Sequence, residues 1–192
     1  MAAHPLLDKI KVPTDRFEMR LSGSGGQGMI FASVVLSKAI GIGTNKNVCQ
    51  SQSYGPEARG GASKSDVVVS EEEISYPKAM KLDLLLAMTQ EALDKYLPDL
   101  KDEGTLIVDS SLVTEYPEDR AYAFEFSRMA RNEVGHIMVA NMIALGSIGA
   151  LTGLVSKDRL TEVVLGHAPK GTEEKNRRAV EMGWSAAEEA KK

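Results

Sequence analysis

Apolar residues follow two different periodicities along this chain of 192 residues. Short apolar or alternating runs predict β-strands, and longer runs with apolar residues three or four positions apart predict α-helices. Strands are predicted at 17–21, 48–51, 62–70, 83–88, 105–108 and 121–126. Helices are predicted at 26–40, after Thr89, at 127–132, 137–155 and 157–165, and from Thr172 onward. Strands that alternate with helices predict an α/β fold, a three-layer Rossmann-like domain with a mainly parallel central sheet and helices on both faces.

Polar and small residues mark the predicted ends of these helices. Thr89, Ser127 and Ser156 stand where a hydroxyl side chain caps a helix start. Residues 41–45 are expected to end the first helix, with a glycine in the left-handed conformation. Residues 1–16 contain two prolines and no long apolar run, and they predict an N-terminal arm that precedes a single domain at 17–192.

The run 137–155 is the longest apolar stretch of the chain. Its polar residues and its three glycines (Gly146, Gly149 and Gly153) make it unlike a membrane span, so we interpret it as a core helix. The small residues would let another backbone approach closely, and a buried Asn141 would need a hydrogen-bond partner. Trp184 is expected to anchor the terminal helix.

Charge and cysteine content exclude several classes of function. The chain has 23 basic and 27 acidic residues, a net charge of −4, which gives no basic surface for nucleic acid. Its single cysteine, Cys49, cannot build a disulfide framework, a zinc site or an iron–sulfur cluster, and it fits a reducing cytoplasm. Residues 1–16 do not have the pattern of a secretory signal.

Gly23, Gly25 and Gly28 stand at GxGxxG spacing between the first strand and the first helix. Gly25 and Gly26 have no Cβ atom, and the free N–H groups of the first helical turn would face an anion. The second strand lacks the acidic residue that binds the ribose of a nicotinamide cofactor, which argues against ordinary NAD binding. A glycine turn that serves only helix–sheet packing is the alternative.

A second unusual segment, 53–61, is rich in turn-forming residues and contains Tyr54, Arg59, Gly60 and Gly61. Arg59 could form a bidentate pair with a carboxylate or a phosphate, or it could be an ordinary surface arginine. Asp109 ends a buried strand, where it could belong to a ligand site or could accept hydrogen bonds from nearby turn amides.

Several catalytic patterns are missing from the sequence. The three histidines are isolated, no Gly-x-Ser-x-Gly elbow occurs, and the first glycine turn lacks the Gly-Lys-Ser/Thr ending of a P-loop. We identify no catalytic residues and no metal ligands. The pattern is typical of a chain that holds a ligand, while redox chemistry would belong to cofactors elsewhere.

Three separated segments carry a family resemblance: Gly-Ser-Gly-Gly-Gln-Gly at 23–28, Gln-Ser-Gln-Ser-Tyr-Gly-Pro-Glu-Ala-Arg-Gly-Gly at 50–61, and Asn-Met-Ile-Ala-Leu-Gly at 141–146. Together they resemble the gamma subunit of the 2-oxoacid:ferredoxin oxidoreductases over residues 19–183. The second segment is most similar to the 2-oxoglutarate branch. Residues 1–16 lie outside the resemblance.

The resemblance implies one subunit of a larger enzyme that converts a 2-oxoacid to an acyl-CoA. Thiamine diphosphate and iron–sulfur clusters would lie on alpha, beta and ferredoxin-like partner subunits, and ferredoxin would accept the electrons. Coenzyme A (CoA) is the ligand implied for this chain. The residues implied to bind it are Gly25, Gly26, Gln27, Gly28, Tyr54, Arg59, Gly60 and Gly61, and Tyr54 and Arg59 could instead contact a neighbouring subunit. The rival hypotheses are a free-standing dinucleotide-binding oxidoreductase and a scaffold subunit without a ligand.

Overall fold

A six-stranded sheet forms the centre of the computed structural model, which describes residues 10, 12–13, 15–52 and 61–191. The strands are β1 (Phe17–Ser24), β2 (Asn47–Gln52), β3 (Ala62–Ser70), β4 (Leu82–Ala87), β5 (Leu100–Asp109) and β6 (Ala121–Phe124). The α-helices are α1 (Met29–Gly43), α2 (Gln90–Tyr96), α3 (Phe126–Met129), α4 (Ala140–Thr152), α5 (Lys157–His167) and α6 (Glu173–Ala190).

The strand order is β2-β3-β1-β4-β5-β6. β1, β4, β5 and β6 pair in parallel, whereas β3 pairs antiparallel with both β1 and β2. A large apolar core lies between one face of the sheet and helices α1, α4, α5 and α6, and a smaller core lies under α2 on the other face. The predicted three-layer α/β fold is confirmed.

Two predicted helix caps are confirmed and two are wrong. Thr89 and Ser156 each accept a hydrogen bond from a backbone N–H three residues later, at 3.3 Å. The first helix does not end in a left-handed glycine, because it runs through Gly43 to an extended Thr44. The Thr44 hydroxyl donates to the carbonyl of Ile40 at 2.9 Å and so satisfies one of the terminal carbonyl groups.

Ser127 does not cap α3, which already begins at Phe126. Its hydroxyl donates instead to the carboxylate of Asp109 at 2.5 Å, and its N–H donates to the same oxygen at 3.0 Å. Asp109 is fully buried and also accepts from the N–H of Ser111. Of the two hypotheses for Asp109, a ligand site or an acceptor of hydrogen bonds from turn amides, the structure therefore supports the second.

The apolar run 137–155 forms a short 3₁₀ turn at Ile137–Val139 followed by α4. The helix ends where Gly153 adopts a φ of 65°, earlier than the periodicity predicts. Among the described residues, every helix is too short or too polar to span a membrane.

Helices α4 and α6 touch at the level of their backbones. A Cβ atom on Gly183 would lie 1.8 Å from the carbonyl oxygen of Ile143, and one on Gly146 would lie 2.2 Å from that of Val180. The ring of Trp184 packs over Gly149, where a Cβ atom would lie 2.8 Å from the ring. The expected close approach of a second backbone is thus present, and Trp184 contributes to this helix pair.

A buried ion pair on the α2 side of the sheet was not predicted from the sequence. Arg20 on β1 is 2% exposed, and its guanidinium donates to both carboxylate oxygens of Asp66 on β3, at 2.7 and 3.0 Å. It also pairs with Asp99 and lies 5.0 Å from the ring centroid of Tyr96. Burial alone would lower the pKa of Arg20, but the hydrogen bonds and charges of the two aspartates outweigh it and raise that pKa.

Substitution of Gly183 by alanine tests the helix contact. Gly183→Ala places a methyl group against the backbone of α4, so we expect the free energy of unfolding to fall by about 1–3 kcal/mol. Gly166→Ala in α5 is the matched control, because a Cβ atom there meets nothing within 4 Å. That control should gain about 0.5–1 kcal/mol from helix propensity. Urea unfolding measures both values, and an equal response of the two variants would contradict the contact.

Candidate functional site

The carboxyl ends of β1 and β4 define a topological switch point. The helix after β1 packs on one face of the sheet, and the helix after β4 packs on the other. In open α/β sheets, ligands bind in the crevice that such a reversal creates. The glycine turn between β1 and α1 lies at this crevice, beside Met88, whose N–H donates to the carbonyl of Ser22 at 2.9 Å.

The glycines of the turn have different structural roles. Gly26 and Gly28 have φ values of 95° and 73°, which side-chain-bearing residues rarely adopt. Gly23 has no such φ, but a Cβ atom there would lie 2.3 Å from the side-chain oxygen of Gln27. Gly25 and Gly26 are exposed, so their backbone is open to a ligand.

Gln27 holds the turn together. Its side-chain oxygen accepts from the N–H of Ser24 at 2.8 Å, and its side-chain nitrogen donates to the carbonyl of Met88 at 3.5 Å. Its own N–H donates to the carbonyl of Ser24 at 3.2 Å. Within the described chain Gln27 therefore supports the turn, and the open first turn of α1, which has no side-chain cap, presents the N–H groups available to an anion.

The glycine turn and α4 meet at Asn141, which is 6% exposed. Its side-chain nitrogen donates a hydrogen bond to the carbonyl oxygen of Gly28 at 3.4 Å. This is the hydrogen-bond partner that a buried asparagine was expected to need. A Cβ atom on Gly28 would lie 2.5 Å from that nitrogen. Two of the three segments that carry the family resemblance are therefore in direct contact.

A cavity of about 260 Å³ lies where the N-terminal ends of α1, α4 and α6 converge. Its walls are mainly apolar, and Asn141 and Asn176 contribute carboxamides. Asn176, 7% exposed, donates to the carbonyl and the hydroxyl of Thr172. None of the three helix starts has a side-chain cap, so each adds partial positive charge. Lys175 and the partly buried His136, whose Nδ1 has no partner among the described residues, also line the cavity.

A smaller cavity of about 60 Å³ lies against the glycine turn itself, between Gly26, Gln27 and Met88. Met138 lines both cavities. The glycine motif predicted one wall of this site. The walls formed by Met88, Met138 and Asn176 were missed, since each belongs to a helix start or turn with no signature of its own.

The remaining residues predicted for the site come from the segment after β2. Tyr54, Arg59 and Gly60 lie outside the described residues. Gly61 is described and has a φ of 108°, a backbone conformation that favours glycine. It directly precedes β3, whose first residue, Ala62, pairs with Ser24 at the carboxyl end of β1, so Gly61 lies at the same edge of the sheet as the glycine turn.

No cluster of three or more His, Cys, Asp or Glu side chains suited to a metal ion occurs in the described part of the chain. Cys49 is a half-buried free thiol on β2. The groups assembled at the crevice are backbone N–H groups, three carboxamides, a lysine, an imidazole and apolar walls. These are groups that bind and orient a ligand.

A family model described as pyruvate ferredoxin/flavodoxin oxidoreductase matches residues 18–186. The 2-oxoglutarate synthase subunit KorC of Methanocaldococcus jannaschii is 47% identical over 178 residues, which are 91% of this chain and 95% of that protein. The crystal structure of the keto/oxoacid ferredoxin oxidoreductase gamma subunit from Geobacter sulfurreducens PCA is 48% identical with a TM-score of 0.84, covering 93% of this chain and 100% of that one.

The fold also recurs in the 2-oxoglutarate:ferredoxin oxidoreductase from Magnetococcus marinus, solved with 2-oxoglutarate, coenzyme A and succinyl-CoA bound. The TM-score is 0.79 at 21% identity, over 92% of this chain and 32% of that chain.

Alanine substitutions in the glycine turn test the contact with Asn141. Gly26→Ala and Gly28→Ala both force alanine into a left-handed conformation, which costs about 1–2 kcal/mol. Only Gly28→Ala also meets a side chain, so we expect it to destabilise the protein by about 1 kcal/mol more than Gly26→Ala.

That excess should disappear when both variants are made in an Asn141→Ala background, as measured by urea unfolding. An excess that persists without Asn141 would show that the strain at Gly28 has another origin.

Proposed function

This chain belongs to the pyruvate ferredoxin/flavodoxin oxidoreductase family, and we propose that it is the gamma subunit of a 2-oxoglutarate:ferredoxin oxidoreductase. In the proposed reaction, the 2-oxoacid loses its carboxyl group as CO₂ and its acyl carbon forms a thioester with the sulfur of CoA. Two electrons pass to ferredoxin. The similarity to a 2-oxoglutarate synthase subunit over nearly the full length of both chains carries this proposal.

The partners we propose are alpha and beta subunits and a ferredoxin-like subunit, which would carry thiamine diphosphate and iron–sulfur clusters. The described residues at the crevice suit binding and orientation of a ligand, and among them no nucleophile is paired with a base. A cytoplasmic location fits the free thiol of Cys49. We assign residues 17–192 to one domain and residues 1–16 to an N-terminal arm.

We propose that the glycine turn holds a phosphate group of CoA. The exposed backbone at Gly25 and Gly26 lets a ligand approach without meeting a Cβ atom. The uncapped N-terminus of α1 adds N–H donors and the positive end of the helix dipole. Gln27 contributes by fixing the turn, since both ends of its carboxamide are bonded within the protein.

The cavity beyond Gly28 suits the pantetheine arm of the same ligand. That arm is a largely apolar chain interrupted by two amides, and it requires apolar walls with a few hydrogen-bonding groups. The cavity provides apolar walls together with Asn141 and Asn176. Tyr54, Arg59, Gly60 and Gly61 remain proposed contacts for CoA or for a neighbouring subunit.

A scaffold role is the second candidate, and the surface around the crevice favours it. Phe31, Ile137 and Met138 are exposed apolar side chains near the mouth of the two cavities. Exposed apolar patches of this kind are typical of subunit interfaces. A free-standing dinucleotide enzyme has less support, because β2 carries no carboxylate for the ribose.

Substitution of Met138 by tryptophan tests the proposed CoA site. Met138 is 53% exposed and lines both cavities, so a larger ring there should obstruct them without disturbing the core. In the assembled enzyme, we expect Met138→Trp to raise the KM for CoA about tenfold or more and to leave the KM for 2-oxoglutarate nearly unchanged. CoA-dependent reduction of ferredoxin measures both constants.

The matched control is Ile42→Trp, an exposed apolar residue near the opposite end of α1. It should behave like the unmodified enzyme. If the Met138→Trp complex assembles and its KM for CoA is unchanged, the cavity does not bind CoA and this part of the proposal is wrong.

Substitution of Arg59 by alanine separates ligand binding from scaffolding. If Arg59 pairs with a phosphate of CoA, Arg59→Ala should raise the KM for CoA by about tenfold, the equivalent of one charged hydrogen bond. The control is Arg178→Ala, an exposed arginine on α6. Unchanged kinetics together with failed assembly, measured by co-purification of the partner subunits, would favour the scaffold role.

A further inference from the structure

A third cavity, of about 180 Å³, opens on the α2 side of the sheet, away from the glycine turn. It is lined by Ser51, Gln52, Lys64, Asp66 and Lys78. Ser51 and Asp66 are paired neighbours on β2 and β3. The cavity therefore combines two ammonium groups with a hydroxyl and a carboxamide, all of which can donate hydrogen bonds.

Among the described residues that line this cavity, Asp66 is the only carboxylate, and it is already paired. Both oxygens of Asp66 accept hydrogen bonds from Arg20, at 2.7 and 3.0 Å, and Arg20 also binds Asp99. Such a bidentate pair leaves Asp66 little capacity to act as the counter-ion of a lysine in the same cavity.

Lys64 is the more buried of the two lysines that line the cavity. Its ammonium is partly buried, lies 5.5 Å from the ring centroid of Tyr96 and forms no ion pair within the described part of the chain. Burial and the nearby charge of Arg20 lower the pKa of Lys64, and the attraction of Asp66 and Asp99 does not restore it. The surroundings of Lys64 therefore disfavour its charged form, and a bound anion would stabilise that form.

Lys78 lines the cavity, and hydrogen bonds fix the backbone of the segment that carries it. The carbonyl of Lys78 accepts a hydrogen bond from Arg16 at 3.0 Å, and Arg16 in turn pairs with Glu18 at 2.5 Å. The carboxylate of Glu18 also accepts from the N–H groups of Met80 and Lys81. The backbone beneath Lys78 is therefore held against β1.

From this arrangement we propose that the cavity between Lys64 and Lys78 is a binding site for a small oxyanion, a phosphoryl or a carboxylate group. Two lysines act as point charges on either kind of oxyanion, and Ser51 and Gln52 lie within the same cavity. The site lies outside the crevice assigned to CoA, and the proposal does not depend on the function proposed above.

The test is a calorimetric titration of the full-length chain at constant ionic strength, with pyrophosphate in one arm and succinate in the other. We expect saturable binding of at least one of the two anions. Lys64→Met should weaken it about tenfold or more, the loss expected for a charge-assisted hydrogen bond, and Lys78→Met should also weaken it. Lys81→Met is the matched control, since it removes the same charge from an exposed lysine that does not line the cavity.

Proton linkage provides a second readout that general charge effects would not produce. A bound anion raises the lowered pKa of Lys64, so binding at alkaline pH should take up protons. The heat of binding should then vary more strongly with the ionisation enthalpy of the buffer in the unmodified chain and in Lys81→Met than in Lys64→Met, because pyrophosphate also exchanges protons on its own account.

Binding of pyrophosphate alone would identify a phosphoryl site, and binding of succinate alone would identify a carboxylate site. Either result supports the proposal. No saturable binding of either anion, or equal weakening by Lys64→Met and Lys81→Met, would overturn it.

Discussion

The direct backbone contact between α4 and α6 is the constraint on which the candidate site depends. Gly183 and Gly146 leave no room for a Cβ atom between the two helices. Both helices begin at the 260 Å³ cavity, where α4 contributes Asn141 and α6 contributes Asn176. Since the helices cannot separate without losing buried contacts, the distance between their N-terminal ends is fixed by glycines that lie further along each helix, within the closely packed region. The cavity is therefore a consequence of helix packing, and loops contribute little to it.

The same packing controls the glycine turn. Asn141 is carried by α4, and its carboxamide occupies the space beside Gly28 that a Cβ atom would need. The turn is thus stabilised by a contact with α4 through Asn141 and by the carboxamide of its own Gln27. The glycines of the GxGxxG spacing therefore have two roles in this chain. They leave room for the carboxamides of Gln27 and Asn141, and Gly28, like the neighbouring Gly26, adopts a left-handed conformation. This explains how the motif persists in a chain that lacks the ribose-binding acid of a nicotinamide site.

Much of the fold follows from periodicity, while the site depends on contacts that periodicity does not contain. The alternation over 62–70 predicted β3 with both ends correct. The start of α1 was placed too early, because a left-handed Gly28 breaks the helix in a sequence that still has helical spacing. Arg20 would ordinarily be interpreted as an exposed residue of a strand, and its partner Asp66 is 46 positions away. Likewise, three helix starts distant in sequence form the larger cavity, and the start of α6 with Asn176 had no signature in the sequence.

Under the proposed role, ligand binding and assembly would be coupled at one surface. The crevice is lined by apolar side chains that remain exposed in the isolated chain, among them Phe31 and Met138. A partner subunit that covered them would bury apolar surface and would also exclude water from the cavity. N–H groups and carboxamides act more strongly on a ligand when water is excluded, because the local dielectric constant falls. A chain without reactive groups at its crevice can therefore contribute to catalysis by orienting one substrate, provided that another subunit closes the site.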